Sequence, residues 1–125
     1  MAEKRTMYTI RENEEQGDVR ISEDVIRIIA GLAATEVPGV ASLSGGVTKD
    51  IIAKLSGKKL STGVMIVVED GSVAVSVVVQ LMYGYSVVDV STQIQEKIKT
   101  AIESMTGLAV SEVNVRVAGV NTKEN

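Results

Sequence analysis

The most regular pattern of apolar and polar residues lies between residues 63 and 83. Two valine-rich runs flank Asp70-Gly71, a dipeptide that favours a two-residue hairpin turn. Because the turn sets the register of the two strands, the pattern predicts one face on which every cross-strand pair is aliphatic. These pairs are Val68 with Val73, Ile66 with Val75 and Val64 with Val77. We therefore predict a hairpin that turns this face to the core.

The opposite face of the predicted hairpin is mixed in polarity. Its apolar members, which we call the outer strip, are Met65, Val67, Ala74, Val78 and Met82. We expect the outer strip on the side of the sheet away from the helices, where clustered apolar side chains indicate a contact surface. Self-association or partner binding is one interpretation of the strip, and cover by the N-terminal segment is the other.

Apolar residues at helical spacing predict a first helix over about 23–37. Ser22 precedes this helix as an N-cap, and Pro38-Gly39 ends it. The predicted buried stripe consists of Val25, Ile26, Ile29, Leu32 and Ala33.

Glu36 continues this stripe near the end of the helix, where the helix dipole disfavours an anion. One interpretation is a buried functional acid, and the other is a side chain that extends into solvent from a frayed helix end. We favour the second interpretation.

A second helix of about twenty residues is predicted from Ser86, with Asp89 at the N3 position and Gly107 at the end. Its predicted stripe consists of Val87, Val90, Ile94, Ile98, Ala101, Ile102 and Met105. Before this helix, Tyr83 continues the inward alternation of the preceding strand, so we predict that Tyr83 packs in the core. The pattern leaves the position of Tyr85 open.

Shorter alternating runs predict a strand at 19–21 and a last strand in which Val113, Val115 and Val117 alternate with polar residues. Alternation at Tyr8 to Ile10 allows one further short strand. The order strand, helix, loop, hairpin, helix, strand predicts an α+β fold. In it, two amphipathic helices pack on one face of a small, mainly antiparallel sheet.

The 125 residues have the length of one ordinary domain. We expect a single domain over residues 18–120. A flexible polar N-terminal segment at 1–17 precedes it, and a polar C-terminal tail at 121–125 follows it.

The connection between the first helix and the hairpin contains the most basic surface of the chain. In this Lys-rich 47–62 loop we expect one short helix with Ile51, Ile52 and Leu55 turned inward. The lysines that face solvent are Lys49, Lys54, Lys58 and Lys59. Such a cluster can bind an anionic partner, although it is more often a plain solvated loop. The spacing of Gly and Lys does not match a phosphate-binding P-loop.

The composition excludes several classes of catalytic and metal-binding site. The chain has a formal net charge of −3 and contains no His, Cys, Trp or Phe. It therefore lacks the base of a Ser-His-Asp triad, a thiol nucleophile and the usual zinc ligands. Helix capping and the hairpin turn explain the acidic pairs Glu23-Asp24 and Glu69-Asp70. We predict no enzyme, no catalytic residue, no cofactor, no metal and no small-molecule substrate, and mild acidity argues against nucleic acid as a partner.

The N-terminal residues are polar from Glu3 onward, which does not match a signal peptide. No window approaches the roughly 18 apolar residues that a membrane-spanning helix needs. We therefore expect a cytoplasmic protein whose association with a membrane is at most indirect or peripheral.

Three stretches carry a family resemblance. They are ISEDVIRIIAGLAATEVPGV at 21–40, YGYSVVDVSTQIQEKIKTAIESMTGL at 83–108 and SEVNVRVAGV at 111–120. Together they resemble the alkaline shock protein family of Gram-positive bacteria, also called the envelope stress response family, over residues 20–120. The helix end EVPGV at 36–40 and the run MTGL at 105–108 before VNV are specific in combination.

The resemblance implies a small cytosolic protein without known enzymatic activity that is linked to cell-envelope or alkaline stress. It also implies an abundant homo-oligomer. Because some members of the family dock beneath the membrane through a membrane-anchored protein partner, the resemblance makes such a partner an expectation for this chain. The matching positions, each of which has a structural explanation, are Glu36, Pro38, Gly39, Gly84, Gly107 and Asn114.

From the residues and the resemblance together we predict a non-enzymatic, self-associating interaction or scaffold protein in envelope or alkaline stress homeostasis. One alternative is a nucleic-acid-binding module that uses the Lys-rich 47–62 loop. The other is an accessory protein of a fatty-acid kinase system, because a paralogue encoded beside a fatty-acid-binding kinase fits the resemblance equally.

Overall fold

The computed structural model describes residues 7–13, 17–43 and 63–122. The elements follow in the order β1 (Met7–Asn13), β2 (Gly17–Ser22), α1 (Glu23–Thr35), β3 (Val40–Leu43), β4 (Val64–Glu69), β5 (Ser72–Met82), α2 (Val87–Thr106) and β6 (Ala109–Asn121). The predicted α+β fold is confirmed, and β1 and β3 extend the predicted order.

Strand β5 is the centre of the main sheet. β6 pairs with it in parallel along its whole length, from Ser72 to Met82. Because β6 occupies that entire edge, β4 and β3 lie end to end along the opposite edge, both antiparallel to β5. The sheet is therefore mainly antiparallel, with one parallel pair that α2 connects as a crossover.

The hairpin between β4 and β5 has the predicted register. Val64, Ile66 and Val68 pair with Val77, Val75 and Val73. The turn residues Asp70 and Gly71 have φ values of 48° and 82°, the left-handed conformation that this two-residue turn requires.

Both helices begin at the predicted caps. The backbone N–H of Val25 donates to Ser22 Oγ over 3.3 Å, and that of Asp89 donates to Ser86 Oγ over 3.2 Å. These serines satisfy amide groups that have no partner within the helix. At the other end of α2, Gly107 adopts φ 80° and its N–H donates to the carbonyl of Glu103.

The core lies between the helices and one face of the sheet, here called the inner face. In the described part of the chain, its buried apolar residues are all aliphatic. The two helices contact each other, α1 contributes buried alanines to the core, and valines of β5 cover the sheet side. The largest fully buried side chains are Ile26, Leu43, Leu81, Ile94, Ile98 and Ile102. The fold thus forms a packed core without Phe or Trp.

The prediction that Tyr83 packs in the core is wrong. Its side chain is 75% exposed, because β5 ends at Met82 and a turn at Tyr83-Gly84 breaks the alternation. Tyr85 is also largely exposed, and its ring lies against Gly39.

The buried stripes predicted for the two helices include residues that are exposed in the structure. Val25, Val87 and Met105 are exposed rather than buried. On α2 the buried positions recur every fourth residue from Val90 onward and end at Thr106. The Thr106 hydroxyl can occupy this site because it donates to the carbonyl of Ile102 and accepts from the N–H of Leu108.

The first two strands form a separate two-stranded sheet. β1 pairs antiparallel with β2, with an irregularity between Thr9 and Arg11. Part of the segment expected to be a flexible tail, residues 7–13, is therefore a strand in the structure. It includes the short strand that the alternation at Tyr8 to Ile10 allowed.

A candidate interaction surface on the outer sheet face

The outer strip lies on the sheet face opposite the helices, as expected from the alternation. Met65 and Val67 on β4 are 61% and 57% exposed. Ala74 and Val78 on β5 are partly buried, and Met82 is exposed at the end of that strand. The sequence neighbours of Met65, Ala74 and Val78 are buried in the core, so the sheet displays apolar side chains on both faces.

The register brings four of these residues into one patch. Val67 pairs directly with Ala74, and Met65 pairs with Ser76, which lies next to Val78 on this face of β5. Met82 lies about 13 Å further along β5, at 3.3 Å per residue, with Gln80 between it and Val78. The strip is therefore a compact patch of four residues with a separate methionine at one end.

A polar row on β6 borders this patch, and the sequence interpretation did not place it there. Glu112, Asn114 and Arg116 pair with Ala74, Ser76 and Val78 of β5, and so share the outer face. We call Glu112, Asn114 and Arg116 the β6 row. The Asn114 amide donates to Glu112 Oε2 over 3.1 Å, which aligns two members of the row. The alternation in the last strand was visible in the sequence, but the strand beside it was not.

Part of the patch and part of the β6 row line an open depression of about 430 Å³. Its side-chain lining includes Met65, Ser76, Val78, Asn114 and Arg116. Because all of these residues project from one sheet face, the depression opens to solvent rather than forming an enclosed ligand pocket. Its apolar centre and polar border resemble the anatomy of protein interfaces.

Glu36 lies outside the core, at the C-cap of α1. Its carboxylate is 3.8 Å from Lys97 Nζ on α2, and both side chains are exposed. Such a surface ion pair contributes little to stability. The structure thus supports the interpretation of Glu36 as a solvent-facing side chain at the helix end.

The Lys-rich 47–62 loop, with Lys49, Lys54, Lys58 and Lys59, lies outside the described residues. Within the described ranges, no cluster of three or more acidic residues is arranged to hold a metal ion.

A second exposed apolar group lies at the junction of β5 and α2. It comprises Tyr83, Tyr85, Val87 and Val88. The sequence interpretation missed it because it assigned Tyr83 and Val87 to the core.

Neither α1 nor α2, the two helices in the described part, has the length and apolar character needed to cross a membrane.

Comparison with known proteins identifies the family. Residues 11–122 match the model of the alkaline shock protein 23 family, which is described as having a cell envelope-related function. The chain belongs to this family. The resemblance seen in the sequence is therefore confirmed, and the match includes all residues of the outer face.

The relatives of this family member include proteins of Bacillus subtilis and Streptococcus pyogenes. It is 30% identical over 109 residues to the uncharacterized protein YqhY of Bacillus subtilis (strain 168), covering 87% of this chain and 81% of that one. It is 39% identical over 105 residues to the uncharacterized protein Spy1535 of Streptococcus pyogenes serotype M6, covering 83% and 79%.

A longer relative carries a functional name. A stress response regulator gls24 homolog of Streptococcus pyogenes serotype M3 is 31% identical over 110 residues, which are 87% of this chain and 62% of that protein. Among solved structures, a MamM CTD variant aligns with a TM-score of 0.48 and 12% identity over 77% of this chain and 93% of that one. A likeness at that level supports no inference about function.

Proposed function

We propose that this family member is a non-enzymatic, self-associating scaffold protein in cell-envelope or alkaline stress homeostasis, with the outer strip as its contact surface. The observation that carries the proposal is the exposure of Met65 and Val67 beside Ala74 and Val78 on a sheet face that neither helix covers. Burying one such side chain fully contributes roughly 1.5–3 kcal/mol, so a few of them support a specific contact.

The lack of His and Cys in the sequence supports a non-enzymatic role. The chain has no His and no Cys, and the candidate acid Glu36 lies in solvent beside Lys97. The depression on the outer face is lined by Met, Val, Ser, Asn and Arg side chains, which include no nucleophile paired with a base.

The comparisons support the cellular setting. The family is described as cell envelope-related, and a relative is named a stress response regulator homolog. We further propose that the protein works in the cytoplasm, at the inner face of the membrane, through a membrane-anchored protein partner. The outer strip, bordered by the charged β6 row, suits contacts with proteins better than insertion into lipid.

Light scattering coupled to size-exclusion chromatography tests the contact surface. We expect the wild-type protein to exceed the mass of one chain, and Met65→Lys or Val78→Lys to lower the measured mass. Met105→Lys is the matched control, because Met105 is 69% exposed but lies on α2. Circular dichroism verifies that each variant is folded.

Two results of this experiment would refute parts of the proposal. A wild-type protein that stays at the mass of one chain at every concentration refutes self-association. A mass that falls equally for Met65→Lys and Met105→Lys refutes the outer strip as the surface responsible.

A further inference from the structure

Strand β6 forms an edge of the main sheet. Among the described strands, this 13-residue strand pairs with β5 alone. The register with β5 shifts at two places, where Ser111 and Ala118 have no partner in β5. Between these irregularities, residues 112–117 pair regularly with β5 along one hydrogen-bonding edge of the strand. The other hydrogen-bonding edge of this segment faces away from β5. Such an edge can accept another strand.

The regular segment is self-complementary in sequence. Glu112-Val113-Asn114-Val115-Arg116 has Asn114 at its centre, a valine on each side and opposite charges at its ends. If two copies pair antiparallel about Asn114, Glu112 of each copy faces Arg116 of the other. On the inner face, Val113 of each copy meets Val115 of the other. Opposite charges and aliphatic residues are both favourable cross-strand pairs.

The backbone of this segment is oriented for such a pair. The Val113 carbonyl accepts a hydrogen bond from Gln95 Nε2 over 3.0 Å, so it points away from β5. Since backbone groups alternate in direction along a strand, the groups of Val115 point to the same free edge. In the antiparallel pair, Val113 and Val115 of the two copies exchange four backbone hydrogen bonds. A backbone hydrogen bond from the second copy then replaces the bond that Gln95 donates to the Val113 carbonyl.

We propose that β6 pairs antiparallel with β6 of a second copy through residues 112–116, joining two four-stranded sheets into one. This deepens the proposed function, because it names a contact between copies, but it uses an edge rather than the outer strip. The two-fold axis of such a pair is perpendicular to the sheet. Both outer strips therefore lie on the same side of the joined sheet and remain available for further contacts.

Charge reversal tests the pairing in a Met65→Lys background, which removes the strip contact. We expect Met65→Lys to form a dimer in analytical ultracentrifugation. Adding Glu112→Arg places arginine opposite Arg116 twice, and adding Arg116→Glu places glutamate opposite Glu112 twice. Because each like-charge pair opposes pairing, we expect either change to raise the dissociation constant about tenfold. The effect should shrink at high salt.

Two combinations of these charge reversals make the test specific to antiparallel pairing about Asn114. The double variant Glu112→Arg with Arg116→Glu restores opposite charges and should recover the parental dimer. Mixing the two single variants also restores both pairs, so two weakly associating proteins should form a heterodimer. Gln95→Ala, which frees the Val113 carbonyl, should lower the dissociation constant.

The failures of the two proposals are distinguishable. If Met65→Lys lowers the mass of the wild-type assembly but gives only single chains at the highest concentration, the strip contact stands and the β6 pairing is refuted. If the Met65→Lys protein still forms a dimer but neither charge reversal weakens it, the β6 pairing is also refuted. If Met65→Lys has no effect on wild-type assembly and the reversals abolish it, β6 pairing stands and the strip fails. Val78→Lys serves as the background if Met65→Lys does not fold.

Discussion

Replacing Gly39 by alanine should destabilise the protein more than replacing Gly84 by alanine, although both glycines have a φ of 99°. The difference lies in their surroundings. A Cβ on Gly39 would lie 2.7 Å from Tyr85 Cδ2 and 3.0 Å from Val90 Cγ2. A Cβ on Gly84 would have no atom within 4 Å, so this pair of substitutions separates contact from backbone strain.

The expected magnitudes follow from these distances. Gly84→Ala introduces only the strain of a side chain at positive φ, about 1–2 kcal/mol. Gly39→Ala adds the displacement of Tyr85 and Val90, about 1–3 kcal/mol. The total loss of about 2–5 kcal/mol is a large part of the roughly 5–15 kcal/mol that stabilises an ordinary domain.

Urea unfolding followed by circular dichroism measures both losses. All variants are compared at one low protein concentration, since association also stabilises the folded state. Adding Tyr85→Ala should reduce the loss caused by Gly39→Ala towards that of Gly84→Ala, because the ring that must move is gone. Equal losses for the two glycine variants would refute the packing of Tyr85 on Gly39.

Two further predictions concern the core and the caps. Ile98→Ala removes a fully buried side chain and should lower the free energy of unfolding, measured by urea titration, by about 2–5 kcal/mol. Met105→Ala, at an exposed site, should change this free energy by less than about 0.5 kcal/mol. Ser86→Ala removes the oxygen that caps α2 and should cost about 1 kcal/mol, while Ser86→Gly should cost only a few tenths in the same assay. Equal losses within either pair would contradict the assigned burial or cap.

Local features of the fold could be predicted from the sequence. The dipeptide Asp70-Gly71 sets the register of a whole hairpin, because a two-residue turn leaves no freedom in which residues face each other. Ser22 and Ser86 similarly mark helix starts through bonds to residues three positions on. The register also places Met65 and Val67 on the face opposite the aliphatic pairs, although their exposure could not be decided from the sequence.

Features that depend on distant residues could not be predicted. The parallel pairing of β6 with β5 joins segments that α2 separates, and no turn residue encodes it. Without that pairing, Asn114 and Arg116 could not be placed beside Val78. The inward assignment of Tyr83 failed because alternation does not reveal the residue at which a strand ends.

The end-to-end arrangement of β3 and β4 affects how this fold can vary. Leu43, the last residue of β3, pairs with Val79, and the Gly63 carbonyl accepts from the N–H of Val78. The last residue of β3 and the residue before β4 therefore lie beside adjacent positions of β5. Because closing a longer connection costs only about 0.6 kcal/mol for each doubling of its length, insertions between these two points need not disturb the sheet. A change in the length or charge of this connection is thus compatible with the same core and the same outer face.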